Sequence, residues 1–225
     1  MSAPSLRARI RSEMSHEILQ VARRRLATDG ANLSLRGVAR DLGIVASALY
    51  RYFPSRDALL TALIIDAYEA LGTAATEADA AVPRDERRRR WLAVCHAVRT
   101  WALSHPAEYG LLYGSPVPDY AAPPETVPLA ATVVLLLVDI AGDAAEQVGS
   151  APVPEPVRAD LRRLIDEYPG DVPEERLARV FAGWTHLFGL INFEVFGRLD
   201  GLIEARAEYF DHQMVLMADL AGIPR

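Results

Sequence analysis

Residues Ser34 to Phe53 read S-L-R-G-V-A-R-D-L-G-I-V-A-S-A-L-Y-R-Y-F, and the fold turns on this stretch. Val38, Ala39 and Leu42 fall at i, i+1 and i+4, on one face of a short helix. Gly43 follows as the residue that can take a positive φ past a helix end, and a second short helix begins near Val45. Two helices meeting at a tight glycine turn bury one shared apolar side. The opposite side of the second helix, with Ala46, Ser47, Tyr50 and Arg51, is left free to enter a DNA major groove. These side chains are small or hydrogen-bonding, so the helix can approach closely. Pro54 ends the unit and Ser55 offers an N-cap to a long following helix.

Working outward, Met14, Ile18, Val21, Ala22 and Leu26 keep helical spacing and predict a first helix that stops before Asp29-Gly30 and packs under the helix-turn-helix. Residues 1 to 11 carry Arg7, Arg9 and Arg11 without an acid, the pattern of a mobile basic arm, either a frayed terminus or a groove contact. From Ser55 the stripe Leu59, Leu60, Leu63, Ile64, Ala67 and Leu71 predicts a helix to about Ala78. Val82-Pro83 interrupts, and a further helix starts near Arg84 with Trp91, Val94, Cys95, Val98, Trp101 and Ala102 on one face. Its run Arg87 to Arg90 reads as a solvated, partly paired face, since the surroundings are acidic. A short helix over Pro106 to Tyr113 and a proline-rich loop through Pro124 follow. A helix from Glu125 to about Val148 is almost wholly apolar in its middle, and Ser150 to Pro156 reads as a linker. Helices are then expected over Arg158 to Glu167, Pro173 to Gly197 and Gly201 to Ala221. The expected fold is all-α: a three-helix helix-turn-helix domain over residues 1–54, then a helical ligand-binding and dimerisation domain over 55–225.

With 225 residues and 51% hydrophobic content the chain can bury a sizeable core. No N-terminal secretory h-region is visible, and the longest apolar run, Leu129 to Val138, is too short for a bilayer and stops at Asp139. A cytoplasmic protein without a membrane partner is expected. The single cysteine, Cys95, cannot close an intramolecular disulfide and sits in an apolar register, as a core residue does. Charge is uneven: residues 1–60 hold ten Arg against five acids, and residues 61–225 hold fourteen Arg against twenty-five. A basic head on an acidic body is the electrostatic footprint of a nucleic-acid-binding end. His16, His96, His105, His186 and His212 show no ligand spacing, and phosphate-loop, dinucleotide and nucleophile-elbow motifs are absent. No enzyme activity, metal or cofactor is expected.

The order L-S-L-R-G-V-A-R-D-L-G, a turn, A-L-Y-R-Y-F and then P-S-R-D-A-L-L resembles the N-terminal DNA-binding domain of TetR-type transcriptional regulators. The resemblance implies DNA contacts from Ser34, from Arg36 as a base reader, from Ala46 and Ser47 on the recognition helix, and from Tyr50, Tyr52 and Arg56 to phosphates. Arg51 joins them from the helix face itself. Val45 stands where many members carry a capping Ser or Thr, and Ala46 where many carry a long polar reader. Further on, P-A-E-Y-G-L-L-Y-G-S-P-V-P-D-Y with W-T-H-L-F-G-L-I-N-F-E-V-F-G at Trp184 to Gly197 is similar to a TetR-type C-terminal subtype named for a Trp-His-Gly pattern.

These readings lead to a homodimeric regulator that binds a palindromic double-stranded DNA operator, a repressor released by a small lipophilic or aromatic effector. Activation or ligand-independent repression is the alternative, and an all-α protein-interaction module the alternative of another class. The expected effector pocket uses Trp101, Tyr109, Tyr113, Leu136, Trp184 and Asn192, aromatic or apolar faces with a few polar groups. The expected dimer face uses Trp184, Phe188, Phe196, Tyr209, Phe210, Gln213 and Met217. Gly183 and Gly189 lack side chains that would hold a partner helix away.

Overall fold

A computed structural model describes residues 6–142, 152–167 and 172–224. Among them the elements are helical: α1 (Leu6–Asp29), α2 (Leu35–Asp41), α3 (Ala46–Leu49), α4 (Arg56–Ala80), α5 (Arg87–Ser104), α6 (Pro106–Tyr113), α7 (Val127–Ala141), α8 (Glu155–Glu167), α9 (Glu174–Val195) and α10 (Arg206–Leu220). Single 3-10 turns sit at Gly30–Asn32 and Pro124–Thr126. The expected extension of α7 to Val148 lies outside the described residues, as do residues 1–5 of the expected arm and Ser150 and Ala151 of the expected linker.

The chain divides into two compact units, Met1–Ala70 with His105–Leu129, and Leu71–Ser104 with Ala130–Arg225. The first unit reaches past Pro54, taking in the first half of α4 and the whole segment around α6. Its core joins Ile18, Val21 and Ala22 of α1, Leu35, Val38 and Ala39 of α2, Leu49 of α3, Phe53, and Leu59, Leu60 and Leu63 of α4. Leu111, Val117 and Tyr120 pack against that cluster. The Tyr120 and Thr61 hydroxyls share a 2.9 Å hydrogen bond, fixing the proline-rich loop to α4. The apolar stripes explain these helices: each is the face that the unit buries.

In the second unit, Trp91 is fully buried and its indole N–H donates to the Met214 carbonyl at 3.2 Å, tying α5 to α10. Gly183 answers to the same ring: a Cβ there would lie 3.0 Å from it. This glycine serves contact inside the chain, not the partner helix expected for it, whereas Gly189 faces open space. Arg99 pairs with Glu194 through two bonds of 2.8 and 2.6 Å and lies 5.0 Å over the Phe210 ring. Cys95 is fully buried, and burial pushes its thiol far above the ordinary range. Two helical stretches, Arg56–Ala80 and Pro124–Ala141, are long and apolar enough by composition to cross a membrane. The second exceeds the run read from sequence because a 3-10 turn continues into α7; in the fold, Val133, Leu137 and Ile140 are core residues.

The run Arg87 to Arg90 is not a solvated face. Arg90 is 3% exposed and meets Asp79, itself 5% exposed, through Nε at 2.7 Å and Nη2 at 3.0 Å, with Asp139 2.9 Å away. Arg87 donates to the Ala141 carbonyl at 3.2 Å, and Arg88 to Asp219 at 2.7 Å. Only Arg89 stays outside, paired with Glu86. The α4 terminus, α5 and α7 are thus joined by buried charge. Removing one partner of such a pair strands the other, at a cost of about 3–5 kcal/mol. Asp79→Ala is expected near the lower end of that range in urea unfolding, because Asp139 still faces Arg90.

Candidate nucleic-acid interface

Ser34 is extended, with φ −126° and ψ 138°, and its Oγ accepts from the Gly37 N–H at 3.2 Å, capping α2. At the far end of α2, Gly43 has φ +69°. Its N–H donates to the Arg40 carbonyl at 3.1 Å, and the next N–H, of Ile44, reaches back to the Ala39 carbonyl at 3.0 Å. The two bonds satisfy carbonyls a helix end leaves open and turn the chain sharply into α3. A Cβ on Gly43 would touch nothing, so glycine is required there by backbone conformation alone.

Arg25 of α1 fastens this motif from behind. Its guanidinium donates to both Asp41 carboxylate oxygens, at 2.6 and 3.2 Å, and also to Asp29. A Cβ on Gly37 would lie 2.7 Å from Arg25 Nη1, so α2 passes under the guanidinium where it has no side chain. The hydrogen bond from Arg25 holds the Asp41 carboxyl below the usual carboxylate range.

α3 is preceded by Val45 at its N-cap position, which makes no side-chain cap and is 69% exposed. Leu49 is fully buried and points α3 inward. Arg36, Ser47, Tyr50 and Arg51 are exposed on the outside, with Ser34; Ala46, Tyr52 and Arg56 are half-buried. Ser55 Oγ accepts from the Ala58 N–H at 3.0 Å, capping α4. Arg56 sits 3.8 Å from Asp57. All eight sequence-read residues therefore lie on the same compact unit.

The basic arm is different from the expectation. Residues 6–11 are the first turns of α1, and no proline or glycine separates Leu6 from Met14, the one sequence signal for that extension. Arg11 Nη2 donates to the Arg51 carbonyl at 3.3 Å, just beyond α3, and its guanidinium lies 5.9 Å over the Tyr52 ring. The sequence places Arg11 in the basic arm but does not show this contact, because its partner is forty positions away.

Residues 18–63 match the family model for bacterial regulatory proteins of the tetR family, and residues 91–217 match the tetracyclin repressor-like C-terminal domain. The chain belongs to the TetR family of transcriptional regulators. The HTH-type transcriptional regulators Mb1846 of Mycobacterium bovis and Rv1816 of Mycobacterium tuberculosis are each 39% identical over 196 residues, spanning 84% of this chain and 83% of theirs. The crystal structure of the protein SCO4313 superposes with a TM-score of 0.79 at 32% identity, covering 98% of this chain and 100% of that one. A Rhodococcus sp. RHA1 protein of unknown function gives 0.61 at 25% identity, covering 92% of each chain. This TetR-family regulator is accordingly a DNA-binding protein of a non-enzymatic class.

The residues read as an effector pocket fall in both units. Tyr109 and Tyr113 belong to the first, their rings 5.2 Å apart, with Tyr68 edge-on to Tyr113 at 6.1 Å. Trp101, Leu136, Trp184 and Asn192 belong to the second. There Trp101 is buried, and Trp184 sits between Phe181 and Phe188 at 5.6 and 5.9 Å. Of the residues read as a dimer face, Phe210 is 0% exposed and Phe188 6%, so both serve the interior of their own unit. Helical spacing placed them on an apolar stripe but could not tell its inner from its outer edge. Phe196 is exposed; Trp184, Tyr209, Gln213 and Met217 are half-buried, and Gln213 bonds His186 at 3.0 Å.

The Asp41 shift has a pH consequence. A carboxyl whose folded value is depressed contributes stability above its unfolded value and loses that contribution as pH falls through the folded one. Below about pH 4, wild type should lose stability to acid more steeply than Asp41→Asn, read as urea midpoints by circular dichroism across pH 7 to 3.

Proposed function

We propose that this regulator is a cytoplasmic repressor that binds a palindromic operator as a homodimer and leaves it when a small lipophilic effector binds. The observation that carries DNA reading is the two-sided motif: Leu35, Val38 and Leu49 face the core, while Arg36, Ser47, Tyr50 and Arg51 face outward on a basic head. Arg36 is assigned to a base edge; Tyr50, Tyr52 and Arg56 are assigned to phosphates, and Ser34 to holding α2 in register through its cap. Arg36→Ala should relax sequence preference at a cost of about 1–3 kcal/mol. Arg56→Ala should weaken specific and random DNA alike, flattening the log-log salt slope by about 0.9. Equal loss on both DNAs for Arg36→Ala in fluorescence anisotropy would remove its reading role.

For the dimer, the outer edges of α9 and α10 offer Gly189, Phe193, Phe196, Leu216 and Leu220, apolar or side-chain-free positions. Two such helix pairs suit a four-helix interface, which spaces two recognition helices for half-sites about 34 Å apart or a multiple of that. Phe196→Asp is expected to give folded monomers in sedimentation velocity, whereas Phe210→Asp is expected to unfold the protein, because it buries an unpaired charge. A dimeric, folded Phe196→Asp would move the interface elsewhere. Release follows from linkage: an effector that weakens DNA binding by some factor is itself bound more weakly to DNA-loaded protein by that factor.

A further inference from the structure

Within the first unit, a cleft of about 280 Å³ lies between α4 and the loop after α6. Ile64 and Tyr68 form one wall, Leu111 and Leu112 another, and Val117 and Tyr120 come from the loop. A second cleft of about 460 Å³ opens between α1 and α6, beside Leu26, Gly30 and Pro106. Leu111, Ser115 and Val117 line both, so a single thin wall separates them. None of the lining residues of either cleft is charged.

The chemistry of the smaller cleft is specific. Its polar groups are hydroxyls. Tyr120 is held by Thr61 at 2.9 Å, and in such a pair one hydroxyl donates and the other, accepting, keeps its own proton for a further acceptor. Thr126 spends its hydroxyl on the Pro123 carbonyl at 2.8 Å. Tyr68 stands edge-on to Tyr113, with the Tyr109 ring tilted against Tyr113 at 5.2 Å, and burial pushes all three phenols above the ordinary range, so the cleft is backed by neutral rings. A ring-walled cleft with hydroxyls and no charge suits a neutral guest and gives an ion nothing to pair with.

We propose that this cleft, walled by α4, α6 and the Gly114 to Ala122 loop, binds an uncharged aromatic or lipophilic small molecule that carries a hydrogen-bond acceptor. The site takes Tyr109 and Tyr113 from the pocket expected on sequence as the backing of its wall and replaces the other four residues with the loop. Its regulatory role rests on the release reading above. That role has a short route: the loop is latched to Thr61, and Thr61 shares a helix with Leu59, Leu60 and Leu63, which pack under the recognition helix in the same compact unit.

The test uses the full chain and N-phenyl-1-naphthylamine, a neutral fluorophore that brightens in apolar surroundings. Saturation at one probe per chain is expected. Ala122→Trp and Ser115→Trp, both at exposed lining positions, should each weaken binding at least about tenfold, or 1.4 kcal/mol. Thermal unfolding checks that both fold. Asn192→Ala, in the second unit, should leave the affinity unchanged, and the anionic analogue 8-anilinonaphthalene-1-sulfonate should bind at least about tenfold more weakly. Non-saturating binding, unchanged affinity in both tryptophan variants, or preference for the anion overturns the site. Operator affinity with and without probe is measured separately. A site that passes while operator affinity does not move leaves the binding inference standing and removes release through this site.

Discussion

A helix of four residues cannot hold itself together in water, since nucleating the first turn costs more than so short a ladder of bonds returns. α3 exists because Leu49 and Phe53 are buried against α1, α2 and α4. The rest of the regulator's design follows from that constraint. The Gly43 turn sets the direction from which Leu49 arrives, Ser34 and Arg25 fix α2 so that the turn starts in the right place, and Arg11 meets the carbonyl of Arg51 where α3 ends. Each of these contacts acts on the inner or terminal side of the motif. The outer side, with Arg36, Ser47, Tyr50 and Arg51, can then change its readers without disturbing the fold, whereas Ala46 is half-buried and packs against the core.

Periodicity made most of this legible. Among the described residues each expected helix has a counterpart built on an apolar stripe, but the last begins at Arg206 and not at Gly201, since Leu202 is exposed in the turn before it. Element ends were less legible: α1 runs two turns beyond its stripe, since Leu6 and residues 9–13 are exposed yet the segment contains nothing that breaks a helix. The run Arg87 to Arg90 was misread for a related reason. A charge run on a helix is normally solvated, but four consecutive residues cannot all face water on a 3.6-residue turn, and Arg90 is the one that faces inward. Its partners, Asp79 and Asp139, lie on other helices and were invisible to a reading that looks along one.

The same limit explains the pocket and the dimer face. A hydrophobic stripe shows that a face is buried, never by what. Phe188, Phe196 and Phe210 are alike in sequence, yet one is exposed and two are interior. Gly183 and Gly189 lie six residues apart on one helix; one meets Trp91 and the other meets nothing. The segment around α6 read as part of the body because it follows α5. Tyr120 and Val117 pack it into the first compact unit, a long-range pairing that proline-rich composition does not advertise, while the match to the C-terminal family domain runs through the same segment.

The ion pairs of the head also bear on DNA. Phosphates repel carboxylates, and residues 1–60 contain five acids, of which Asp41 lies on the first helix of the motif. Left alone it would oppose the approach of the backbone. Arg25 bridges it and Asp29, offsetting one of their two charges, and Arg23 pairs with Asp66, just beyond this stretch. Two of the ten head arginines are thereby spent inside the unit, while Arg11, Arg24, Arg36, Arg40 and Arg51 remain exposed. The positive surface of the head therefore comes from its displayed arginines, with Asp29 and Asp41 partly masked and Glu13, Glu17 and Asp57 left exposed. The acidic remainder of the chain adds the complementary constraint: with fourteen arginines against twenty-five acids beyond residue 60, long-range attraction to a polyanion comes from residues 1–60, and the charge of the rest disfavours approaches that bring it to the duplex instead.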